Sequence, residues 1–417
     1  MVGCQTLESG TEVVRAEEAE VDTLLVAIQS DVDTVRDSAL RSLQALIPAL
    51  PKSGEVFDNL VRRVWVAKCD PAPETRELAE KFWKSAGLAV DSSLGLLEDV
   101  AHPVAVVREA ACEALASFLA DHGEQTGAVL TQLLKRYTDN LEMAPPVMNN
   151  FDNWESRSGI ASALAKIQPF YDKFMVSQVV RFFMTAGMED RNEVVRKHML
   201  SAAVATIDNH GKDTVGELLP VFEDYLQIVP DESSNDIVSQ FVVILMGSLA
   251  KHLHKDDHKV RKIVGKLINA LTSTSQLVQE AVAKCLPPLT TSIKDKAQDL
   301  VGKLLQVLLN NENFRERKGA AYGLACVVKG LGILSLKQLD IMDCLTEALQ
   351  YKNDHRHREG SMLALSQLCA MLGKQFEPYI VNVLPHLLLC FGDPNQYVRE
   401  ARGTVPRQSC QICLPTV

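Results

Sequence analysis

Aromatic residues make up only 6% of this chain although 47% of it is hydrophobic, and runs that alternate apolar with polar residues are almost absent. A sheet sandwich draws its core from aromatic and β-branched residues at period two, so this shortage favours stacked helices rich in Leu, Ala and Val. No apolar run is long. Phe241-Val-Val-Ile-Leu-Met246 is bounded by Gln240, Gly247 and Ser248, well short of the roughly eighteen residues that a membrane span needs. The first residues lack the basic and apolar regions of a secretory leader, and Gly3 stands one place too late for myristoylation, so a cytosolic chain is expected.

Catalytic signatures are missing as well. There is no Gly-x-x-x-x-Gly-Lys-Ser/Thr phosphate loop, no His-Glu-x-x-His, no Gly-x-Ser-x-Gly elbow and no kinase signature set, and no enzyme, cofactor or small-molecule substrate is expected. Gly330-Leu-Gly-Ile-Leu-Ser335 follows a helical run instead of a strand and reads as a glycine-capped helix end. Most of the ten cysteines sit singly in apolar helical stretches, as Cys112, Cys285, Cys326, Cys369 and Cys390 do, which predicts buried thiols. Cys410 and Cys413 supply half a zinc site with no second pair nearby. His252, His254 and His258 lie close together, the last two at helical ligand spacing, but Asp256-Asp257 between them reads as a polar turn. No metal is assigned to either group.

What the chain has instead is a position that returns about every forty residues. It is occupied by Arg36, Arg76, Arg108, Arg157, Arg196, Ser239, Gln279, Arg317, Arg358 and Arg399, at intervals of 40, 32, 49, 39, 43, 40, 38, 41 and 41 residues. Valine often precedes it, and small or apolar residues follow at helical spacing, as in Val107-Arg-Glu-Ala-Ala-Cys-Glu-Ala-Leu115. Such a period with two helical segments per unit is the pattern of HEAT or armadillo repeats. A unit of two short helices cannot bury its apolar face alone and must stack on its neighbours. The prediction is therefore an all-α fold, a HEAT/armadillo-type α-solenoid of about ten two-helix repeats forming one elongated superhelix over residues 21–402. Residues 1–20, with Glu12, Glu17, Glu18 and Glu20, are expected as a frayed acidic start. The Pro- and Asn-rich stretch 143–153 is expected as a loop, and 403–417 as an irregular tail.

Asp, Asn or Pro cluster just before the recurring arginine, at Asp31, Asp70-Pro71, His102-Pro103, Asp152, Asp190, Asn353-Asp354 and Asp393-Pro394. These residues cap and initiate helices, which places the arginine in the first turn of each second helix. Arg36, Arg108, Arg196, Arg317, Arg358 and Arg399 are expected to form a structural ladder with acidic turn residues of their own or a neighbouring repeat. That ladder leaves cations over. Arg315 and Lys318 flank Arg317, and Lys352, His355, Arg356 and His357 precede Arg358. Residues 1–240 hold 21 Lys and Arg against 38 Asp and Glu, whereas residues 241–417 hold 22 against 15. The carboxyl half is thus suited to an anionic partner such as RNA, with drift of surface charge along the chain as the bland alternative. Arg315, Lys318, Lys352 and Arg356 are the candidate contacts to an RNA backbone, about one repeat apart.

Several strings are more specific than the period. Glu316-Arg-Lys-Gly-Ala-Ala-Tyr-Gly-Leu-Ala325, Val328-Lys-Gly-Leu-Gly-Ile-Leu-Ser-Leu-Lys337, Leu384-Pro-His-Leu-Leu-Leu-Cys-Phe-Gly-Asp393 and Asn395-Gln-Tyr-Val-Arg-Glu-Ala401 stand in the second half. Trp154-Glu-Ser-Arg157, Leu218-Leu-Pro-Val-Phe-Glu223 and Leu245-Met-Gly-Ser-Leu-Ala-Lys-His-Leu253 stand earlier. With these strings, residues 10–402 resemble the general-control translational activator family, large HEAT-repeat activators of the initiation factor 2 alpha kinase. The resemblance implies a non-catalytic, cytoplasmic, ribosome-associated scaffold. It would bind stalled or collided ribosomes and promote activation of that kinase under amino-acid starvation. In that family the kinase-docking segment lies far towards the carboxyl end, and a region similar to a fungal elongation factor's HEAT domain begins about where this chain stops. The chain is accordingly expected to be a middle piece that touches the ribosome, with kinase contacts elsewhere. A HEAT adaptor of another system, a nuclear-transport receptor or phosphatase scaffold, is the alternative.

After Arg402 the helical period stops, and Gly403-Thr-Val-Pro-Arg-Gln-Ser-Cys-Gln-Ile-Cys-Leu-Pro-Thr-Val417 brings one glycine and two prolines. The expectation is a truncated or alternatively spliced end, or an imperfect gene model, that leaves Ile380, Val383, Leu387 and Leu388 without a covering repeat.

Overall fold

The computed structural model describes residues 18–90, 95–142, 152–228, 237–254, 257–271, 273, 275–390 and 392–401. All regular structure among them is helical. The chain divides into two compact units, Met1–His210 and Gly211–Val417.

In the first unit the helices come in pairs. They are α1 (Glu18–Ala27) with α2 (Asp33–Leu46), α3 (Glu55–Ala67) with α4 (Pro73–Ala86), and α5 (Leu96–Asp99) with α6 (Ala105–Asp121). Next come α7 (Thr126–Glu142) with α8 (Trp154–Ile167), and α9 (Lys173–Phe182), which ends in a π turn, Phe183–Gly187. The division between the units falls within α10 (Glu193–Ile228). In the second unit α11 (Ile237–Ala250) is followed by α12 (His258–Ala270) with α13 (Gln276–Cys285), and α14 (Ala297–Asn310) with α15 (Phe314–Leu331). The short α16 (Ser335–Gln338) leads into α17 (Ile341–Gln350) with α18 (His355–Leu372), and α19 (Glu377–Cys390) with α20 (Gln396–Ala401) completes the order.

Packing follows the rule that the repeats predict. First helices lie on first helices, α1 on α3 and α17 on α19, while second helices lie on second helices, α2 on α4, α6 on α8 and α15 on α18. The apolar stripe of each helix is thereby covered on two sides. In the first unit Leu40, Leu43, Leu60, Val64 and Phe82 are among the residues of one buried cluster. In the second, Leu308, Ala321, Leu324, Leu345, Leu363 and Leu368 belong to another. Each such side chain, fully buried, contributes about 1.5 to 3 kcal/mol relative to an exposed one.

Three sequence expectations change. Helix α1 starts at Glu18, inside the stretch expected to be frayed, because Val21 and Leu25 are buried. Two helices were expected between Arg196 and Ser239, but α10 runs unbroken for 36 residues with Pro220 inside it. The apolar run around Phe241, read as too short for a membrane span, is core: every residue of α11 from Val238 to Ala250 is buried. No helix among the described residues is long and apolar enough to cross a membrane. Finally, Ile380 and Val383 are buried, and of the four residues expected to be uncovered only Leu388 is exposed. Residues 1–17, 143–151, 402–417, Cys410 and Cys413 lie outside the described residues.

Candidate functional site

The recurring position is the fourth residue of its helix in nine of the ten cases, Ser239 being the third residue of α11. This location explains the arginine. From the fourth position the side chain folds back past the helix start, and its Nη1 donates to the two turn carbonyls five and six residues earlier. Arg36 binds Ser30 and Asp31 (2.9 and 3.1 Å), and Arg76 binds Asp70 and Pro71 (2.6 and 2.9 Å). Arg108 binds His102 and Pro103, Arg196 binds Asp190 and Arg191, Arg317 binds Asn311 and Glu312, and Arg399 binds Asp393 and Pro394. Arg358 reaches the carbonyls of Tyr351, Lys352 and Asp354. Gln279 does the same without a charge, donating through Nε2 to Ser273 (2.9 Å) and Leu271 (3.3 Å). The clamp joins the end of one helix to the start of the next and satisfies carbonyls that the helices leave open.

The remaining guanidinium edge makes the ladder, under a stricter rule than expected. Arg36 forms a two-pronged pair with Asp70 (2.8 and 3.0 Å), Arg157 with Asp190 (2.7 and 3.2 Å), and Arg358 with Asp393 (2.6 and 3.0 Å). Each acceptor stands six residues before the next repeat's arginine. The same carboxylate takes the backbone N–H two residues on, at Ala72, Asn192 and Asn395. These aspartates therefore hold the turn and the neighbouring repeat instead of capping the helix directly. Arg317 uses Glu359 of the next second helix (2.6 Å), and Ser273 with Gln240 forms a neutral counterpart (2.8 Å). Among the described residues Arg108, Arg196 and Arg399 make the carbonyl clamp, and no carboxylate lies within ion-pair distance of them. The Arg358 guanidinium holds the Asp393 carboxyl below the usual carboxylate range. Burial acts against the Arg157 charge, and the Asp152 and Asp190 carboxylates more than restore it.

His102 occupies the place of the ladder aspartates. Its Nδ1 accepts from the Val104 N–H (3.1 Å). Burial, followed by the nearby charge of Arg63, lowers its pKa to about 4. An unfolded histidine takes a proton near pH 6.5, so the unfolded state gains protons first as the pH falls. The stability of the first unit should be flat above that pH and decline from there towards 4. The loss should amount to about 1 to 2 kcal/mol, after discounting for the half-exposed ring. Urea midpoints at pH 7 and pH 5 check this through tryptophan fluorescence, because Trp65, Trp83 and Trp154 all lie in the first unit. His102→Asn keeps the acceptor and should flatten the decline.

The candidate contact cations do not share one environment. Arg315 and Lys352 are exposed and Lys318 is half-buried, and none of the three has an ion-pair partner among the described residues. Arg356 does, which corrects its reading as a surplus charge. Its guanidinium lies against Asp354 (2.8 Å) and 3.8 Å from Glu312 of the preceding repeat. Arg356 in turn draws the Asp354 carboxyl down to about 2. Asp354 also accepts the Arg356 N–H (2.9 Å) as the cap of α18. Two features escaped the sequence. Tyr137 donates to Asp190 (2.7 Å) from a fully buried position, and Phe314 and Tyr397 stand exposed beside the cations. Only an aromatic residue next to a helix-starting cation would have signalled the latter.

Little else is arranged for chemistry. No group of three His, Cys, Asp or Glu among the described residues is placed to hold a metal; Lys255 and Asp256 of the histidine segment lie outside them. Cys112, Cys285, Cys326, Cys369 and Cys390 are buried thiols, and burial pushes Cys112 up to about 12.

Residues 52–251 match the HEAT repeats of the stalled ribosome sensor GCN1, and residues 317–415 match the EF3 N-terminal HEAT repeat. The elongation-factor likeness thus starts well inside the chain, not where it stops. The chain is 49% identical over 403 residues to the human protein named stalled ribosome sensor GCN1, covering 93% of this chain and 15% of that one. It is 30% identical over 423 residues to the eIF-2-alpha kinase activator GCN1 of Saccharomyces cerevisiae, covering 95% and 15%. Among solved structures, Kap121p bound to Nup53p aligns with a TM-score of 0.45 at 14% identity, covering 95% of this chain and 42% of that one. The chain spans about 15% of the length of the curated relatives that it matches. With two-helix repeats, a clamp arginine at the fourth helical position and near 50% identity over almost its whole length, this chain belongs to the GCN1 family of HEAT-repeat proteins.

Proposed function

We propose that this chain is a non-catalytic scaffold of translational control that contacts stalled or collided ribosomes in the cytoplasm. By positioning them it promotes activation of the initiation factor 2 alpha kinase under amino-acid starvation, with kinase contacts outside these residues. The names of its relatives, stalled ribosome sensor and eIF-2-alpha kinase activator, support the reading. One observation carries the ribosome contact. The clamp and ladder engage the recurring arginines, whereas Arg315 and Lys352 are exposed, Lys318 is half-buried, and none of the three has an acidic partner among the described residues. Such cations give backbone affinity without sequence choice, and each phosphate contact adds about 0.7 to 0.9 to the slope of log affinity against log salt.

Co-sedimentation of the full chain with ribosomes across a salt series tests this. Binding should weaken steeply with salt. Combined Arg315→Ala, Lys318→Ala and Lys352→Ala should lower the slope by about 2, whereas Arg356→Ala, whose charge is already neutralised, should change it by far less. Absence of binding at low salt would remove the ribosome from this segment.

A further inference from the structure

Few Phe or Tyr rings are exposed among the described residues, yet three of them stand in the second unit together with the partly exposed His355. Phe314 and Tyr351 are each 45% exposed and Tyr397 is 61% exposed; the side chain of His355 is 41% exposed. Phe314 and Arg315 open α15, His355 and Arg356 open α18, and Gln396 and Tyr397 open α20. Three successive repeats thus present their first two residues along one edge as ring then cation, ring then cation, and polar residue then ring. The edge is continuous between repeats. The His355 ring stacks on the Tyr397 ring with centroids 6.5 Å apart and planes at 29°, and Arg356 approaches Glu312 across the preceding junction. Tyr351 lies over His357, with centroids 4.6 Å apart. Lys352 adjoins Tyr351, and Lys318 lies one helical turn from Phe314.

None of these rings is needed by the core. An exposed Tyr, Tyr and Phe within three repeats are costly to leave in water, and the contacts their rings make are with His357, His355 and the Arg317 guanidinium. Cations alone would bind any phosphate backbone, duplex or single-stranded. Rings interleaved with cations at repeat spacing discriminate, because only unpaired bases offer faces on which to stack. A protein partner fits less well, since the rings do not merge into one apolar patch but alternate with Arg315, Lys318 and Lys352.

The geometry points to a single-stranded RNA-binding edge at the start of α15, α18 and α20, where Phe314, Tyr351 and the His355–Tyr397 pair stack unpaired bases while Arg315, Lys318 and Lys352 hold the phosphates. It rests on the ribosome reading above and deepens it by naming unpaired nucleotides as the ligand.

The test compares the full chain's affinity for a single-stranded oligoadenylate of about twelve nucleotides with that for a duplex RNA of equal length. Ribosome co-sedimentation runs in parallel. The single strand should be preferred, and Tyr397→Leu and Tyr351→Leu should each weaken it about tenfold or more. Tyr397→Phe, which keeps the ring, should restore it. The variants are at exposed positions, and unchanged helical circular dichroism checks their fold. Equal binding of duplex and single strand with neutral ring variants would overturn the stacking edge and leave the electrostatic ribosome contact standing. Ribosome binding without affinity for either RNA would overturn it in favour of a protein ligand. Binding to neither would sink both readings.

Discussion

Replacing Asp190 with alanine should unfold the first unit about 3 to 5 kcal/mol more easily than the unaltered chain, the cost of stranding a buried charge. Asp190 is 1% exposed and Arg157 and Tyr137 are fully buried. One carboxylate accepts from Arg157 Nε (2.7 Å) and Nη2 (3.2 Å), from the Tyr137 hydroxyl (2.7 Å) and from the Asn192 N–H (2.8 Å). Removing it leaves a guanidinium whose other carboxylate, Asp152, is at the surface side and shared with Arg191. It also leaves the Tyr137 hydroxyl with only the long contact to the Ala186 carbonyl (3.3 Å). The penalty is desolvation without compensation, not the net worth of the pair. For that reason the combined variant Arg157→Met, Asp190→Leu and Tyr137→Phe should recover most of the loss. Urea unfolding followed by tryptophan fluorescence reads this unit selectively, since all three tryptophans lie in it. A loss below about 1 kcal/mol for Asp190→Ala would mean that water reaches the site and that the ladder is a surface feature. The same change at Asp393 should cost less, because its partner Arg358 is 12% exposed at the side chain, against 0% for Arg157.

The contrast between clamp and ladder explains what the sequence made legible. The clamp is local: Nη1 reaches carbonyls five and six residues back, so the same short geometry has to recur wherever a second helix starts, and the arginine recurs with it. Fold class and helix register could be read from that one position. The ladder acceptor lies in the next repeat, and its distance along the chain depends on repeat length. Arg36 finds Asp70 and Arg358 finds Asp393, but the place six residues before Arg108 holds His102 instead of an aspartate. A ladder therefore could not be inferred from arginines alone. Arg356 shows a different limit. Asp354 two residues before it was visible, but one carboxylate both caps α18 and holds the guanidinium, and counting it once left Arg356 falsely free. Exposure of Phe314 and Tyr397 was hidden for the opposite reason: rings in an apolar-rich repeat read as core until their neighbours are placed.

Two glycines on the packed helices α14 and α18 should respond to alanine with opposite signs. Glycine inside a helix ordinarily costs about 0.5 to 1 kcal/mol relative to alanine, through backbone entropy. Gly302 in α14 has open space where a methyl group would go, so Gly302→Ala should stabilise the second unit by about that amount. Gly360 in α18 faces α14 itself, and a methyl group there would overlap the carbonyl oxygen of Leu308. Backbone cannot rotate away as a side chain can, so α18 would have to lift from α14. The overpacking cost of about 1 to 3 kcal/mol exceeds the propensity gain, and Gly360→Ala should destabilise, with Gly360→Val worse. Hydrogen exchange of the amides in α14 and α18 of the full chain reads both changes at the contact concerned, as slower exchange for the first and faster for the second. Stabilisation by Gly360→Ala would show that the two helices are not held at the separation that the glycine permits. The α14–α18 contact that helps to place α18, and with it His355 and Arg356 at its start, would then lose its rigid support.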